Sequence, residues 1–115
     1  MKINNDLIKT RTILWTNSSP TSSFSNQTIT LSESLDNYEY YEILFRQNTT
    51  SARLMTTGKI PVGYGTILIW VTTVNMYRPT GTTVSGNTIS FEDGKTTNGV
   101  DNSTTVPTYV IGYKD

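Results

Sequence analysis

The residue types that most often carry catalysis are missing from this sequence or badly placed in it. The chain has no His and no Cys, which removes the imidazole base, the thiolate nucleophile and the usual zinc ligands. Glycoside hydrolysis needs two carboxyl groups facing one cleft, but Glu39 and Glu42 are three residues apart and would point to opposite faces of a strand. The other acidic pairs fall in predicted turns, and no GxSxG or SxxK motif is present. We therefore expect no enzymatic activity.

Aromatic side chains suggest a binding chemistry instead, because Tyr and Trp present an apolar ring face to a sugar together with a polar group. The expected contact aromatics lie near predicted strand ends and are Tyr38, Tyr40, Tyr64 and Tyr77. The alternative interpretation is that these tyrosines are simply good strand residues. Trp15 also lies near a strand end, yet it and Trp70 are expected to belong to the core.

Residues 92–102 are rich in the side-chain oxygens that calcium prefers as ligands, with Asp93 and Asp101 as the candidate ligands. The spacing does not match an EF-hand, and Lys95 lies inside the segment. A β-turn at Asp93–Gly94 followed by a polar loop is therefore the favoured interpretation. No cofactor is expected.

The elements that would position these residues are strands. No window of helical length shows a sustained helical apolar pattern, and a short turn is expected at Ser34–Asn37. Thr, Ser and Asn make up over a third of the chain, but the abundant Tyr, Val, Ile and Thr fit pleated strands better than disorder. Eight short antiparallel strands are predicted, which indicates a single-domain, all-β, jelly-roll-like β-sandwich. They are Arg11–Thr16, Gln27–Ser32, Tyr38–Arg46, Ala52–Thr57, Thr66–Thr73, Asn75–Arg78, Thr88–Glu92 and Thr108–Tyr113.

Alternation along these strands assigns their faces. Residues that share one face within a strand are Ile29 with Leu31, Ile89 with Phe91, and Tyr41 with Ile43 and Phe45. The segment 67–71 is apolar on both faces, so it is expected to be a central strand covered from two sides. One cover would be the sandwich core, and the other would be a loop or a neighbouring subunit.

The length and net charge of the chain limit its number of domains and the classes of partner that we expect. The 115 residues allow one domain, which we place at residues 11–115 after an N-terminal arm at residues 1–10. The nine basic and nine acidic residues cancel, and the cations are scattered singly, so we expect no nucleic-acid partner. No apolar run is long enough to cross a bilayer, and no signal-peptide core follows the N-terminus, so we expect neither membrane insertion nor export by a signal peptide.

Two stretches go beyond a generic β pattern. The first runs from Ile13 to Ser32, with the sequence ILWTNSSPTSSFSNQTITLS, and is followed by the Tyr-rich strand. The second comprises ISFEDG at 89–94, DNS at 101–103 and VPTYVIGYK at 106–114. Together they resemble a domain found at or near the C-terminus of tail, tail-fibre and similar virion proteins of tailed phages and prophages. The resemblance spans residues 11–114.

This resemblance implies a non-enzymatic β-sandwich on the virion surface, made in the bacterial cytoplasm and often assembled as a homotrimer. Its partner would be a cell-surface polysaccharide or a protein receptor. The alternative is a purely structural capping, assembly or decoration domain without a ligand. The family supplies no binding residues to transfer to this sequence, so the tyrosines above remain the candidates.

Overall fold

The computed structural model describes residues 11–47, 50–64, 76–77, 84–96 and 105–114 of the chain. These residues form an all-β protein with a single 3-10 turn and no α-helix, which confirms the predicted fold class. In chain order the strands are β1 (Arg11–Thr16), β2 (Gln27–Thr30), β3 (Tyr40–Gln47), β4 (Thr50–Thr56), β5 (Ile60–Pro61), β6 (Met76–Tyr77), β7 (Thr88–Phe91), β8 (Lys95–Thr96) and β9 (Thr105–Tyr113). The 3-10 turn, Leu35–Asn37, lies between β2 and β3.

The predicted strands agree with the structure wherever both can be compared. β1 has the predicted bounds, while β2, β3, β4 and β7 are shifted by up to two residues at their ends. β9 begins at Thr105, three residues before its predicted start, and β6 covers only the middle of its predicted span. Sequence reasoning missed β5 and β8, because two-residue strands carry no periodicity. The strand predicted at 66–73 and the arm at 1–10 lie outside the described residues.

The largest sheet has the strand order β1-β9-β3-β4, and β5 pairs with the start of β3. All of these pairings are antiparallel, with β9 lying between β1 and β3. β2 pairs with β7 in a second antiparallel sheet, and β6 pairs with β8 in a third. These described pairings fit a sandwich, and the jelly-roll arrangement stays a prediction.

The core lies between the large sheet and the β2–β7 sheet. The predicted alternation holds on β3, where Tyr41, Ile43 and Phe45 are fully buried. It also holds on the opposing sheet, where Ile29 and Ile89 are buried while their threonine and serine neighbours are exposed. The core cluster draws its remaining buried members from both sheets and the loops between them: Leu14, Phe24, Leu31, Leu35, Tyr38, Val84, Phe91, Val106 and Val110.

Two bulges adjust the large sheet around β9. The register between β1 and β9 shifts between Ile13 and Trp15, which makes Leu14 the extra residue on β1 and buries its side chain. The register between β3 and β9 shifts between Leu44, paired with Tyr109, and Phe45, paired with Pro107, which makes Thr108 the extra residue on β9. Pro107 lies next to this bulge, where the ladder is locally interrupted and its missing N–H is tolerated.

The 3-10 turn between β2 and β3 is held against the loop that precedes β7. Ser34 caps it by accepting a hydrogen bond from the backbone N–H of Asp36 at 3.1 Å. Leu35, which is fully buried, donates its backbone N–H to the carbonyl of Gly86 at 2.7 Å. Gly86 has φ +71, a left-handed conformation that glycine adopts without strain. The turn predicted at Ser34–Asn37 is thus confirmed, and it fastens β2 and β3 to the loop before β7.

Candidate functional site: a polar groove at the end of the sandwich

A groove opens where β1 ends and the loop to β2 begins. Its volume is about 340 Å³, near the lower end of the range for small-molecule sites. Six of its ten described lining residues come from this loop, two from the end of β1 and two from β2. The described lining residues are Trp15, Thr16, Asn17, Ser18, Ser19, Ser22, Ser23, Phe24, Gln27 and Ile29.

The groove loop, residues 17–26, connects β1 with β2, and Asn17 fixes its start through three hydrogen bonds. Its backbone N–H donates to the carbonyl of Thr108 at 2.9 Å, and its side-chain Nδ2 donates to the carbonyl of Pro107 at 2.8 Å. Its Oδ1 accepts from the backbone N–H of Ser19 at 2.7 Å, which closes an Asx-type turn. The amide of Asn17 is therefore used to join the loop to β9.

The next residues form a tight turn. The backbone N–H of Ser22 donates to the carbonyl of Ser19 at 3.1 Å, and Pro20 is the second residue of this four-residue turn. Proline favours that position because its ring sets the backbone angle that a β-turn requires. Ser19 and Ser22, the first and last residues of the turn, both line the groove.

Phe24 and Asn26 fasten the far end of the loop. The ring of Phe24 is buried and meets Phe91 edge to face, with 5.4 Å between centroids and an interplanar angle of 89°. Two residues later, the backbone N–H of Asn26 donates to Oδ1 of Asp93 at 2.9 Å. Because both ends are fixed by contacts to distant parts of the chain, the groove is formed before any ligand arrives.

The chemistry of the groove is polar and uncharged. None of its described lining residues carries a charge, and most carry a hydroxyl or an amide. Within the described part of the chain, the hydroxyls of Ser18, Ser22 and Ser23 make no hydrogen bond. A hydroxyl both donates and accepts, so these groups suit a ligand that is itself rich in hydroxyls. Trp15 is half-buried, packs against the core and supplies an aromatic surface at the same place.

Tyr38, the first predicted contact aromatic, lies in the core with 7% of its surface exposed. Its hydroxyl donates to Oε2 of Glu33 at 2.7 Å. Burial raises the pKa of Tyr38, the hydrogen bond and charge of Glu33 raise it further, and a hydrogen bond with Thr12 opposes them. Little of this side chain remains for a ligand.

The other predicted tyrosines are spread over the molecule. Tyr40 is half-buried at the start of β3, where its backbone pairs with Tyr113 and Pro61. Tyr64 is 69% exposed on the loop after β5. Tyr77 belongs to β6, opposite Lys95 on β8, and its side chain lies outside the described part. Tyr38, Tyr40 and Tyr64 are all absent from the described lining of the groove.

Asp93, the described half of the predicted calcium pair, is engaged with the backbone of Asn26. Asp101 lies outside the described residues. Residues 92–94 connect strands of two different sheets, so they do not close a hairpin. Within the described ranges, no group of three or more acidic side chains is close enough to hold a metal ion.

A second polar cluster lies on β3, where Glu42 accepts hydrogen bonds from the hydroxyls of Thr56 and Tyr113. Burial raises the pKa of Tyr113, and Glu42 raises it further while Arg11 opposes the shift. The ammonium of Lys59 lies 4.4 Å from the centroid of the Tyr113 ring. These contacts connect β3, β4 and β9. Both carboxylate oxygens of Glu42 are used in hydrogen bonds within the fold.

No protein-family model matches this chain, and no curated protein shows significant similarity to it. In the described residues there is no helix long and apolar enough to span a membrane.

Sequence reasoning missed the groove because it treated the NSSPTSS segment as an ordinary connector and Trp15 as a core residue. The usable signal was local: an Asn followed by a Ser two positions later, and a Pro in the second position of a turn. That signal predicts a structured loop, but it does not show that the loop forms a cavity beside Trp15.

Proposed function

We propose that this chain is a non-enzymatic glycan-binding domain on the surface of a phage or prophage virion. The observation that carries the proposal is the preformed, uncharged groove in which serine hydroxyls stand beside the half-buried Trp15. Sugar rings offer apolar C–H faces and hydroxyls together, and this groove offers a partner for each. The virion setting is supported by the sequence resemblance alone.

Several copies would act together in this function. A single shallow groove of this size supports weak binding, and linked copies raise the effective affinity by orders of magnitude without new contacts. The phage-like sequence pattern favours a homotrimer. Ile13 on β1 and Leu54 on β4 are 52% and 50% exposed, but single exposed apolar side chains are common on monomers, so the homotrimer is supported by the sequence resemblance alone. Light scattering at micromolar concentration tests the assembly, and a monomer there contradicts the trimer.

The binding proposal is tested with an array of immobilised bacterial and plant polysaccharides and two triple variants. The groove variant is Ser18→Ala/Ser22→Ala/Ser23→Ala. The control is Ser25→Ala/Ser32→Ala/Ser85→Ala, which removes the same number of hydroxyls from exposed sites outside the described lining. We expect the groove variant to lose at least about tenfold in affinity and the control to bind like the parent, with equal thermal midpoints.

Two outcomes contradict the proposal. One is the absence of binding to every polysaccharide on the array by the parent protein. The other is an equal loss in the groove and control variants, which would place the binding surface elsewhere. In the first case, the purely structural role of capping or decoration becomes the better interpretation.

A further inference from the structure

The chemistry of the groove also favours one charge class of ligand over another. We infer that it selects neutral sugars and rejects glycans that carry carboxylates or phosphates. This inference rests on the proposed glycan-binding function and adds the chemical class of the ligand. Three separate observations support it: the lining side chains, the backbone N–H groups of the loop and the nearest acid that the loop contacts.

The first observation is the absence of a cation from the described lining. Anionic sugars are normally held by Arg or Lys, which supply charge-assisted hydrogen bonds to carboxylate or phosphate oxygens. Here the described lining side chains are hydroxyls, amides and apolar groups. An anion moved from water into such a site exchanges its hydration for hydroxyl and amide hydrogen bonds and gains no opposite charge, which favours a neutral ligand.

The second observation concerns the backbone of the loop. Proteins without a nearby cation still bind anions through clusters of free backbone N–H groups. In this loop the N–H groups of Asn17, Ser19, Ser22 and Asn26 already donate to oxygens of the chain itself. Pro20 has no N–H to offer. These four N–H groups are therefore not available to a bound anion.

The third observation is the carboxylate of Asp93, which accepts the N–H of Asn26 at the far end of the loop. A negative charge at this end disfavours a second negative charge close to it. Neutral sugars are free of this repulsion. Their hydroxyls also match the serines, since each partner both donates and accepts.

The size of the groove limits the ligand as well. With about 340 Å³, it has room for only about one or two sugar rings. The contact is therefore to a short unit of a longer neutral polysaccharide.

The experiment compares sugars that differ only at C6. Oligomers of glucose, galactose and mannose are titrated against the matching uronate oligomers, each at low and high salt. We expect at least one neutral oligomer to bind, and its uronate partner to bind at least tenfold more weakly. The gap should narrow in high salt, because salt screens the repulsion.

A gain-of-charge variant provides the second arm. Ser23→Lys places an ammonium in the groove, whereas Ser25→Lys places the same charge on the same loop outside the described lining. We expect Ser23→Lys to raise uronate affinity at least tenfold and Ser25→Lys to leave it within about twofold of the parent.

The outcomes separate this inference from the proposed function. If uronates bind the parent as well as neutral sugars do, and Ser18→Ala/Ser22→Ala/Ser23→Ala abolishes both, the charge selectivity is wrong while the glycan-binding function stands. If neither class binds, both are wrong. Equal gains from Ser23→Lys and Ser25→Lys would also overturn the inference, because the added charge would then act without regard to the groove.

Discussion

The hydroxyl of Tyr41 donates a hydrogen bond to the backbone carbonyl of Tyr64 at 2.7 Å. The two residues are opposites in exposure, since Tyr41 is fully buried and Tyr64 is 69% exposed. The loop after β5, which carries Tyr64, is held further by the N–H of Gly63, which donates to the carbonyl of Val84 at 2.9 Å. A core tyrosine thus fixes the position from which an aromatic ring is displayed to solvent.

Tyr41→Phe removes this hydrogen bond while it keeps the ring. We expect the free energy of unfolding to fall by about 1 kcal/mol, since the carbonyl of Tyr64 loses a buried donor. Hydrogen exchange should rise at residues 62–64 and stay unchanged in β2. Tyr40→Phe is the matched control, because it changes a half-buried tyrosine on the same strand. A loss of stability confined to the control would contradict the role given to Tyr41.

Alkaline pH should destabilise the fold through its buried tyrosines. Burial raises the pKa of Tyr38, Tyr41 and Tyr113 above the usual tyrosine value of about 10. The folded chain therefore holds these protons more tightly than the unfolded chain. The free energy of unfolding should be unaffected by them below about pH 9 and should decrease as the pH rises beyond about 10.

Urea unfolding midpoints measured between about pH 7 and pH 11.5 test this dependence. In Tyr41→Phe we expect a shallower decline above about pH 10, because one of the three raised groups is gone. A midpoint that stays constant over the whole range would show that tyrosine ionisation is not linked to unfolding.

Gly112→Ala should destabilise the core by crowding. A Cβ at this position would lie 2.9 Å from Leu14 Cδ1 and 2.9 Å from Tyr38 Cγ, closer than real Cβ atoms approach other atoms. Overpacking of this kind costs about 2 kcal/mol. Because the clash depends on Leu14, the double variant Gly112→Ala/Leu14→Ala should cost less than the sum of the two single changes.

Gly58→Ala distinguishes crowding from backbone strain. Gly58 has φ +70, and no atom lies within 4 Å of the place that an alanine methyl group would occupy. An alanine there therefore meets only the left-handed backbone penalty of about 1 kcal/mol. No coupling to Leu14 is expected for this variant. The costs in Gly58→Ala/Leu14→Ala should therefore be additive, and additive costs in Gly112→Ala/Leu14→Ala as well would contradict the crowding explanation.

Asp93 is expected to act on the groove loop through the N–H of Asn26. Asp93→Ala removes the acceptor and should lower the free energy of unfolding by about 1 kcal/mol, with faster hydrogen exchange at Asn26. Asp93→Asn keeps an oxygen acceptor at the same place and should stay closer to the parent. Titration with calcium chloride should leave the thermal midpoint unchanged if Asp93 serves this contact only.

Asn17 should be sensitive to replacement by Asp even though the shapes match. Asn17→Asp retains an oxygen for the N–H of Ser19 but loses the Nδ2 donor to Pro107 and places a carboxylate beside that carbonyl. We expect a larger loss of stability than in Ser18→Ala, about 2 kcal/mol against a few tenths. Equal thermal midpoints for Asn17→Asp and Ser18→Ala would contradict the structural role of this amide.

The sequence predicted those features that depend on local periodicity. Apolar alternation identified β3 and its buried Tyr41, and the bounds of β1 followed from its composition and flanking turns. The groove depends instead on non-local contacts, such as the bond from Asn17 to Pro107, which is ninety residues away. The bulge at Leu14 is equally invisible to a period-two pattern, because one extra residue shifts every later side chain.

Candidate site residues were harder to predict than strands for the same reason. Tyr38 and Tyr64 look alike in sequence, with each tyrosine near a turn, yet one belongs to the core and the other to the surface. The difference arises from the partners that the fold brings to each ring, including Gly112 beside Tyr38. Residue type alone does not contain that information.

The antiparallel pairing of β1 with β9 places the start of β1 and the end of β9 at one end of the sandwich and the groove at the other. Arg11 is paired with Tyr113, so the chain enters and leaves the described sandwich side by side. Thr16, which lines the groove, is paired with Tyr109 at the other end of β1, roughly 17 Å farther along the strand. The described sandwich therefore begins and ends at the pole opposite the groove. An anchor at that pole would leave the groove pointing outward, away from the surface to which the sandwich is attached.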